Sequence, residues 1–372
     1  MELTLTAKIK ILPSPEQIHI LKDTFSCYQN GCNFVSKLIF EKKTLHRVSL
    51  HKLTYTTLRS QYGLRSQMAQ SVLKTVIAQY KSLKSNQHPW TEIKFKKPLY
   101  DLVFNRDYSF NKDFLSINTV HGRTKLLYKT TGLNHYFDGS WKFGTAKLIN
   151  KHGHWYLHLP VTKDVPSFDK NSLSEIVGVD LGINFLTTSH DSKGKTTFVN
   201  GRAIKHRRAK YKNLRKELQQ TRTPSARRKL KSIGQRENRW MQDINHCISK
   251  ALVDSYPKNT LTLFVLEDLS KITQKTTKVK LNDRYHFVSW AFYDLRTKIE
   301  YKSLMNQSKT IVVNPKYTSQ TCPKCNYTHK QNRNKKSHSF LCRRCKYKSN
   351  DDRIAAMNLQ QKGIKYIVEE VT

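Results

Sequence analysis

Two Cys-x-x-Cys pairs, Cys322-Pro-Lys-Cys325 and Cys342-Arg-Arg-Cys345, stand sixteen residues apart near the end of the 372-residue sequence. No other stretch constrains the fold as strongly. Two short knuckles that each present two thiolates can be closed by one tetrahedral ion, and the span between them has too few apolar residues to fold unaided. Residues 322–345 therefore read as a zinc ribbon, with Cys322, Cys325, Cys342 and Cys345 as the Zn²⁺ ligands. Two disulfides are the alternative, disfavoured in a reducing cytosol. Lys324, Arg343, Arg344 and Lys346 lie in or beside the knuckles, where they offset the negative charge of a four-thiolate site. Cys27, Cys32 and Cys247 have no partner pair and read as buried apolar residues.

The charge balance narrows the partners. Sixty-seven Lys and Arg against 27 Asp and Glu give a formal charge of +40, and such a chain repels itself unless it meets a polyanion. Nucleic acid is the expected partner, with a ribosome-associated or merely basic protein as the bland alternative. Nothing resembles a signal peptide and no apolar run is long enough to span a bilayer, so the expected setting is cytoplasmic and nucleoid-associated, with no membrane partner. Eighteen Tyr, 16 Phe and 5 Trp are ample for packed cores in two or three domains.

From the start, ELTLTAKIKI alternates as a half-buried strand and stops at Pro13. Ser14, Pro15 and Gln17 form a capping-box signature, followed by Leu21, Phe25, Tyr28, Cys32 and Val35 at helical spacing. A second helix is predicted around residues 49–62 and a third from Ser66, with Met68, Val72, Val76, Tyr80 and Leu83 on one stripe. From Pro89 the pattern becomes short β-like runs, IKFKK, YDLVFN, FLSIN, TKLLY, AKLIN and HWYLHLPV, separated by turns such as Asn111-Lys112, His121-Gly122 and His152-Gly153. These suggest a small barrel that the opening strand joins, with residues 13–88 as a helical insertion.

Acids are scarce, so the placed ones stand out. Asp180 interrupts the apolar strand IVGVDLGINFLTTS, and Glu267 ends a second apolar strand in LTLFVLEDLS, with Asp268 following. A strand buried on both faces excludes charge unless it is paired or ligates a cation. Asp351 and Asp352 precede RIAAMNLQQ, a helix start where acids can be mere caps. Two strand-end acids and one helix-start acid are the set a two-metal phosphodiester site needs, with carboxylates holding two Mg²⁺ ions.

IVGVDLGINFLTTS, VLEDLS and NDDRIAAMN, with NPKYTSQTCPKCNY before the first knuckle, resemble the TnpB family, RNA-guided nucleases of insertion sequences related to compact type V CRISPR effectors. The resemblance covers most of the chain and is strongest in its second half. It implies an α+β multidomain architecture, with a wedge β-barrel (1–12 and 89–168) carrying a helical recognition insert (13–88). An RNase H-like (RuvC) nuclease domain (169–321 and 346–372) follows, split by the zinc ribbon insertion (322–345). It implies that Asp180, Glu267 and Asp352 are the catalytic, Mg²⁺-binding acids, Asp352 being in the family's frame and Asp351 one residue off it. Ile354 stands where the family usually has Asn, and Asn326 where the knuckle more often has Gly, which leaves the turn geometry open. Intact acids make the catalytically dead, binding-only relatives a weaker match.

The basic span 202–252 reads as a helical hairpin. Tyr211, Leu214 and Leu218 form a stripe on one arm, Thr223 and Pro224 cap and start the next, and Trp240, Ile244, Ile248 and Leu252 continue it. Lys205, Arg207, Arg208, Lys210, Lys212, Arg215 and Lys216 are its expected contacts to nucleic-acid backbone. With a guide RNA, sequence would be read by pairing to one strand of a double-stranded DNA target beside a short flanking motif. The expected activity is Mg²⁺-dependent, RNA-guided DNA cleavage by a monomer encoded by a transposable element. The alternatives are a binding-only regulator and a compact CRISPR effector.

Overall fold

The protein is described by a computed structural model that covers residues 1–97, 99–151, 153–169, 171–257, 260–269 and 292–369. The backbone divides into two compact units, one of Glu2–Asp164 and one that begins at Val165 and includes Met1.

In the first unit, strand β1 (Glu2–Leu12) buries Leu3, Ala7, Ile9 and Ile11 and exposes Thr4, Thr6 and Lys8, as the alternation requires. Helices α1 (Pro15–Lys42), α2 (Arg47–Ser60) and α3 (Ser66–Ser85) follow. The α1 start carries both arms of its capping box: the Gln17 amide donates to Ser14 Oγ at 3.3 Å, and the Ser14 amide to Gln17 Oε1 at 3.0 Å. Strands β2 (Tyr100–Leu102), β3 (Tyr108–Phe110), β4 (Leu115–Thr119), β5 (Gly122–Lys129), β6 (Lys142–Phe143), β7 (Ala146–Lys151) and β8 (His154–Asp164) complete an eight-stranded sheet. Its order is β2-β7-β8-β1-β5-β4-β3, with β6 also on β8. The opening strand thus lies between β8 and β5, and α1–α3 are an insertion between β1 and β2.

The strands at the two ends of that order are consecutive in the chain, so the sheet is nearly closed. The buried Asp107 fixes the turn between them, its carboxylate accepting from the Val103 amide at 2.9 Å. One expected strand does not form. IKFKK bonds to helices, not to a sheet: Asn33 exchanges two hydrogen bonds with Phe95 at 2.8 and 3.2 Å, and Ser36 Oγ donates to Ile93 O at 2.6 Å. Side-chain amides and hydroxyls there take the place of a ladder. His152 of the expected His152-Gly153 turn lies outside the described residues.

The second unit is built on a five-stranded sheet of β9 (Leu173–Asp180), β10 (Phe185–His190), β11 (Thr196–Asn200), β12 (Leu261–Glu267) and β13 (Lys309–Val313), in the order β11-β10-β9-β12-β13. The β9, β12 and β13 pairings are parallel, and the two on the other side antiparallel. Helices α4 (Arg202–Thr221), α5 (Pro224–Ile233), α6 (Arg236–Asp254), α7 (Phe292–Met305) and α8 (Asp351–Glu369) accompany the sheet. Alternate residues face opposite sides. Val177, Val179, Phe264 and Leu266 pack with Met241, Ile248, Leu252, Leu295 and Ile299 of α6 and α7, whereas Leu263 and Val265 pack with Leu359 of α8.

The basic span is three helices, not a hairpin, because Gly234 breaks its second arm between α5 and α6 at φ 47°. Thr223 caps α5 as expected, its hydroxyl accepting from the Ala226 amide at 3.2 Å. Among the described residues, no helix is long and apolar enough to cross a membrane.

Candidate functional site

The parallel register of β9 and β12 sets Leu266 beside Val179, so the next residues, Glu267 and Asp180, end the two strands side by side. Period-two alternation from Ile176 and Gly178, and from Leu263 and Val265, turns both acids to the face covered by α8. That helix lies close because two glycines admit it. A Cβ on Gly178 would come within 2.0 Å of the Ala356 carbonyl oxygen, and one on Gly363 within 2.5 Å of a Val265 methyl. The approach of Ala356 to Gly178 carries the start of α8 to the carboxyl ends of the strands. Capping falls to Asn350, whose Oδ1 accepts from the amides of Asp352 at 2.9 Å and Arg353 at 3.1 Å. Both aspartates are thereby released from the capping role that a helix start would otherwise suggest.

The two have different surroundings. Asp351 is fully buried, its Oδ2 accepting from Arg333 Nε at 2.7 Å, while its Oδ1 faces His338 Nδ1 at 3.5 Å. The Asn184 amide nitrogen lies 2.7 Å from His338 Nε2. Asp352 is half-buried beside this assembly. Replacing Asp351 with Asn should accordingly cost about 2 kcal/mol of stability, read from the chemical denaturation midpoint, because half-buried Arg333 loses its charged partner. Asp352→Asn should not lower the midpoint and should raise it slightly, because burial and Asp351 raise the Asp352 carboxyl and its charge opposes folding.

The electrostatics tie the acids into one centre. Burial, followed by the charges of Glu267 and Asp352, pushes Asp180 well above the usual carboxylate range, with Arg333 acting the other way. Burial raises Glu267 as well, opposed first by a hydrogen bond from the Thr318 hydroxyl and then by Lys362 and Arg333. Asp352 is raised by burial and then by Asp351. Like charges held together in a low-dielectric setting favour a bound cation, so the donor set fits hard divalent metal. The acids do not form one tight cluster. Among the described residues, the ligand-type groups whose atoms all approach within 4.8 Å are the four cysteines and His338 with Asp351 and Asp352. Asp268 lies 3.9 Å from Arg296.

The four cysteines meet as the spacing predicts. The Sγ atoms of Cys322 and Cys345 are 3.5 Å apart and those of Cys325 and Cys342 3.6 Å. These distances are close to the edge of about 3.8 Å in a tetrahedral zinc–thiolate site. A disulfide needs about 2.05 Å. The knuckles match bond for bond: the Asn326 amide reaches Cys322 O at 2.9 Å and the Lys346 amide Cys342 O at 3.0 Å, with Asn326 and Lys346 both left-handed at φ 56° and 61°. Asparagine tolerates that conformation, so Asn326 replaces glycine without loss of the turn. Strands β14 (Arg333–Asn334), β15 (Ser339–Leu341) and β16 (Lys348–Asn350) form a small antiparallel sheet beside the cysteines. Ile354 of α8 packs with Cys322, Cys342 and Phe340, so the residue that departs from the family frame joins the cysteine cluster to the helix.

Of the seven bases expected on nucleic acid, Arg207, Lys210 and Lys216 are exposed and Lys205, Lys212 and Arg215 half-buried. Arg208 is a correction. It is only 2% exposed and pairs with buried Glu237 at 3.2 Å, tying α4 to α6; Arg215 also reaches Glu237. A single acid 29 residues away draws Arg208 inward, which local charge density does not reveal. Arg207 stacks on the Trp240 ring at 4.5 Å. Cys247 is exposed, not buried; Cys32 is buried and Cys27 intermediate. Thr318, Arg333 and Asn350 were not expected from the sequence. Only Asn350 carries a local signal, as an amide directly before a helix start.

Residues 158–273 match a family model described as Probable transposase, and residues 292–359 one described as Cas12f1-like, TNB domain. Similar curated proteins include the CRISPR-associated endodeoxyribonuclease Cas12f1 of Syntrophomonas palmitatica, 26% identical over 259 residues, or 64% of this chain and 50% of that protein. The putative RNA-guided DNA endonuclease InsQ of Escherichia coli K12 is 26% identical over 229 residues, 57% of this chain and 54% of InsQ. A TnpB-like protein of Methanocaldococcus jannaschii is 26% identical over 260 residues, 68% of this chain and 88% of its own. The chain spans about half the length of the first two of these relatives. Its fold is similar to a chain in a cryo-EM structure of a Cas12f1–sgRNA–target DNA complex, with a TM-score of 0.60 at 14% identity over 96% of this chain and 99% of that one. These matches bear out the resemblance to the TnpB family that the motifs carry.

Proposed function

We propose that the chain is an RNA-guided DNA endonuclease of the TnpB kind, which uses a guide RNA to cleave double-stranded DNA beside a short flanking motif. The observation that carries this reading is the meeting of Asp180 and Glu267 at one edge and face of the sheet, with the start of α8 bringing Asp352 to them. Both family matches and the named relatives support it. In this reading the nearly closed sheet is the wedge barrel, α1–α3 are the recognition insert, and the five-stranded unit is the RuvC-like nuclease domain with its zinc ribbon. The work would be done on cytoplasmic, nucleoid DNA.

Asp180, Glu267 and Asp352 would hold two Mg²⁺ ions. When bound, these supply an activated water and stabilise the leaving oxygen of the phosphodiester. The protein's own groups prepare the site. Arg333 and Lys362 moderate the repulsion among the acids, and the Thr318 hydroxyl holds one oxygen of Glu267. Asp351 is committed to Arg333 and so serves to seat the start of α8. Cys322, Cys325, Cys342 and Cys345 would hold Zn²⁺.

The exposed face of α4 would grip guide or heteroduplex backbone. Replacing Lys205, Lys210 and Lys216 together with Gln should flatten the plot of log affinity against log salt by roughly 0.7 to 0.9 units for each phosphate that is no longer neutralised. Preference for the flanking motif should be unchanged, because a grip on the backbone carries no sequence information. A slope equal to that of the parent protein would make this a solvated face.

A compact type V CRISPR effector is the second reading, favoured by the match of residues 292–359. Sequencing the RNA that copurifies tests both. One dominant RNA with a constant scaffold and a variable end supports guided action; its origin at an insertion-sequence end or in a repeat array separates transposon from CRISPR use. Purification free of any specific RNA would contradict both.

A further inference from the structure

The segment that runs from β13 into the first knuckle, residues 314–323, is irregular, yet α8 fastens it along its length. Lys362 Nζ donates to Asn314 O at 2.5 Å and Lys316 O at 3.3 Å. The Asn358 amide donates to Thr318 O at 2.6 Å and Thr321 O at 2.8 Å, and the Gln361 amide to Pro323 O at 3.3 Å. Residues 358, 361 and 362 share a helix face, so one stripe of α8 grips five backbone carbonyls. Asn358 and Thr318 are themselves buried.

What this strap presents to the acid centre is the Thr318 hydroxyl. Its single proton has two acceptors in reach, Glu267 Oε1 and Pro315 O, the latter at 3.1 Å. The carboxylate is the nearer and the charged one, and takes it.

We propose that Thr318 is a positioning residue for Glu267: the strap fixes the carboxylate rotamer so that one oxygen is engaged and the other is left for metal. The inference rests on the reading of Asp180, Glu267 and Asp352 as the metal-binding acids. A glutamate has three side-chain torsions to restrict before it ligates productively, and a hydroxyl anchored to a rigid backbone removes much of that freedom. The helix that anchors the strap also carries Asp352. Two acids from distant parts of the sequence are thereby referred to one rigid element. The phrase YTSQTC then has a physical role besides leading into the knuckle.

The test compares Thr318→Val, which keeps shape and β-branching but loses the hydroxyl, with Thr318→Ser, which keeps the hydroxyl. Both are made in the whole 372-residue chain with its copurified RNA. Mn²⁺ binding is followed by electron paramagnetic resonance, and target cutting by Mg²⁺ titration. Thr318→Val should weaken Mn²⁺ binding and raise the half-saturating Mg²⁺ concentration by about tenfold, with target affinity unchanged. Thr318→Ser should restore both. Mn²⁺ binding by Thr318→Val equal to that of the parent protein overturns the proposal. So does a Thr318→Ser variant as impaired as Thr318→Val, which would assign the residue to packing. Glu267→Gln, run alongside, isolates the underlying reading: if it cuts at the parental rate, the metal-site assignment fails, whatever the Thr318 variants do.

Discussion

Asp180→Asn should lower target cleavage by on the order of 10³- to 10⁴-fold while leaving guide and target affinity unchanged. The acid sits where metal would be held, whereas the grip on nucleic acid is assigned to the basic helices. The same substitution should raise the thermal midpoint of the protein in chelator. Burial and the neighbouring acids push Asp180 above its ordinary range in the folded state, so its ionised form opposes folding. A carboxyl with a raised folded pKa is destabilising above that value and becomes less so as the pH falls through it. Removing the charge should therefore stabilise at neutral pH, by about 2–4 °C for each kcal/mol of repulsion relieved in a domain of about 200 residues. A lowered midpoint would mean that Asp180 is a structural acid with a partner, and cleavage within a few fold of the parent would remove it from the centre.

Replacing Cys322 and Cys325 with Ser should abolish binding of one equivalent of zinc and reduce cleavage to near background. Structural zinc supplies about 10–16 kcal/mol to zinc-finger peptides, and this segment has little core besides its four cysteines. Its collapse would reach the acids by two routes. Cys322 closes the end of the strap that carries Thr318, and Arg333, the partner of Asp351, enters from β14. Zinc content by plasma emission and cleavage should fall together. Full activity in zinc-free protein would separate the ribbon from the centre.

Much of this arrangement was legible in local sequence, because its causes are local. The Ser14 and Gln17 capping box, the knuckle spacing and the isolated acids of two apolar strands all depend on neighbours within a few residues. The alternation around Asp180 and Glu267 also gives their face, once α8 is known to cover it. Distant partners decided the rest. Asn33, Ser36 and Tyr80 claim the backbone of IKFKK, so a strand-like pattern forms no strand. Glu237 takes Arg208 out of a basic face where charge density alone had put it. Thr318 and Arg333 owe their roles to residues 51 positions back and 18 positions ahead, and no periodicity marks either one.

The central claim is tested most directly by guide exchange. The protein is loaded with two RNAs that share the copurified scaffold but differ in guide segment, and each complex is given both plasmid targets in Mg²⁺. Cutting is predicted only in the two matched combinations, beside the same flanking motif, and should be absent with chelator and in Asp352→Asn. Cutting that ignores the guide, or cutting of matched target by Asp352→Asn at the parental rate, would contradict the account.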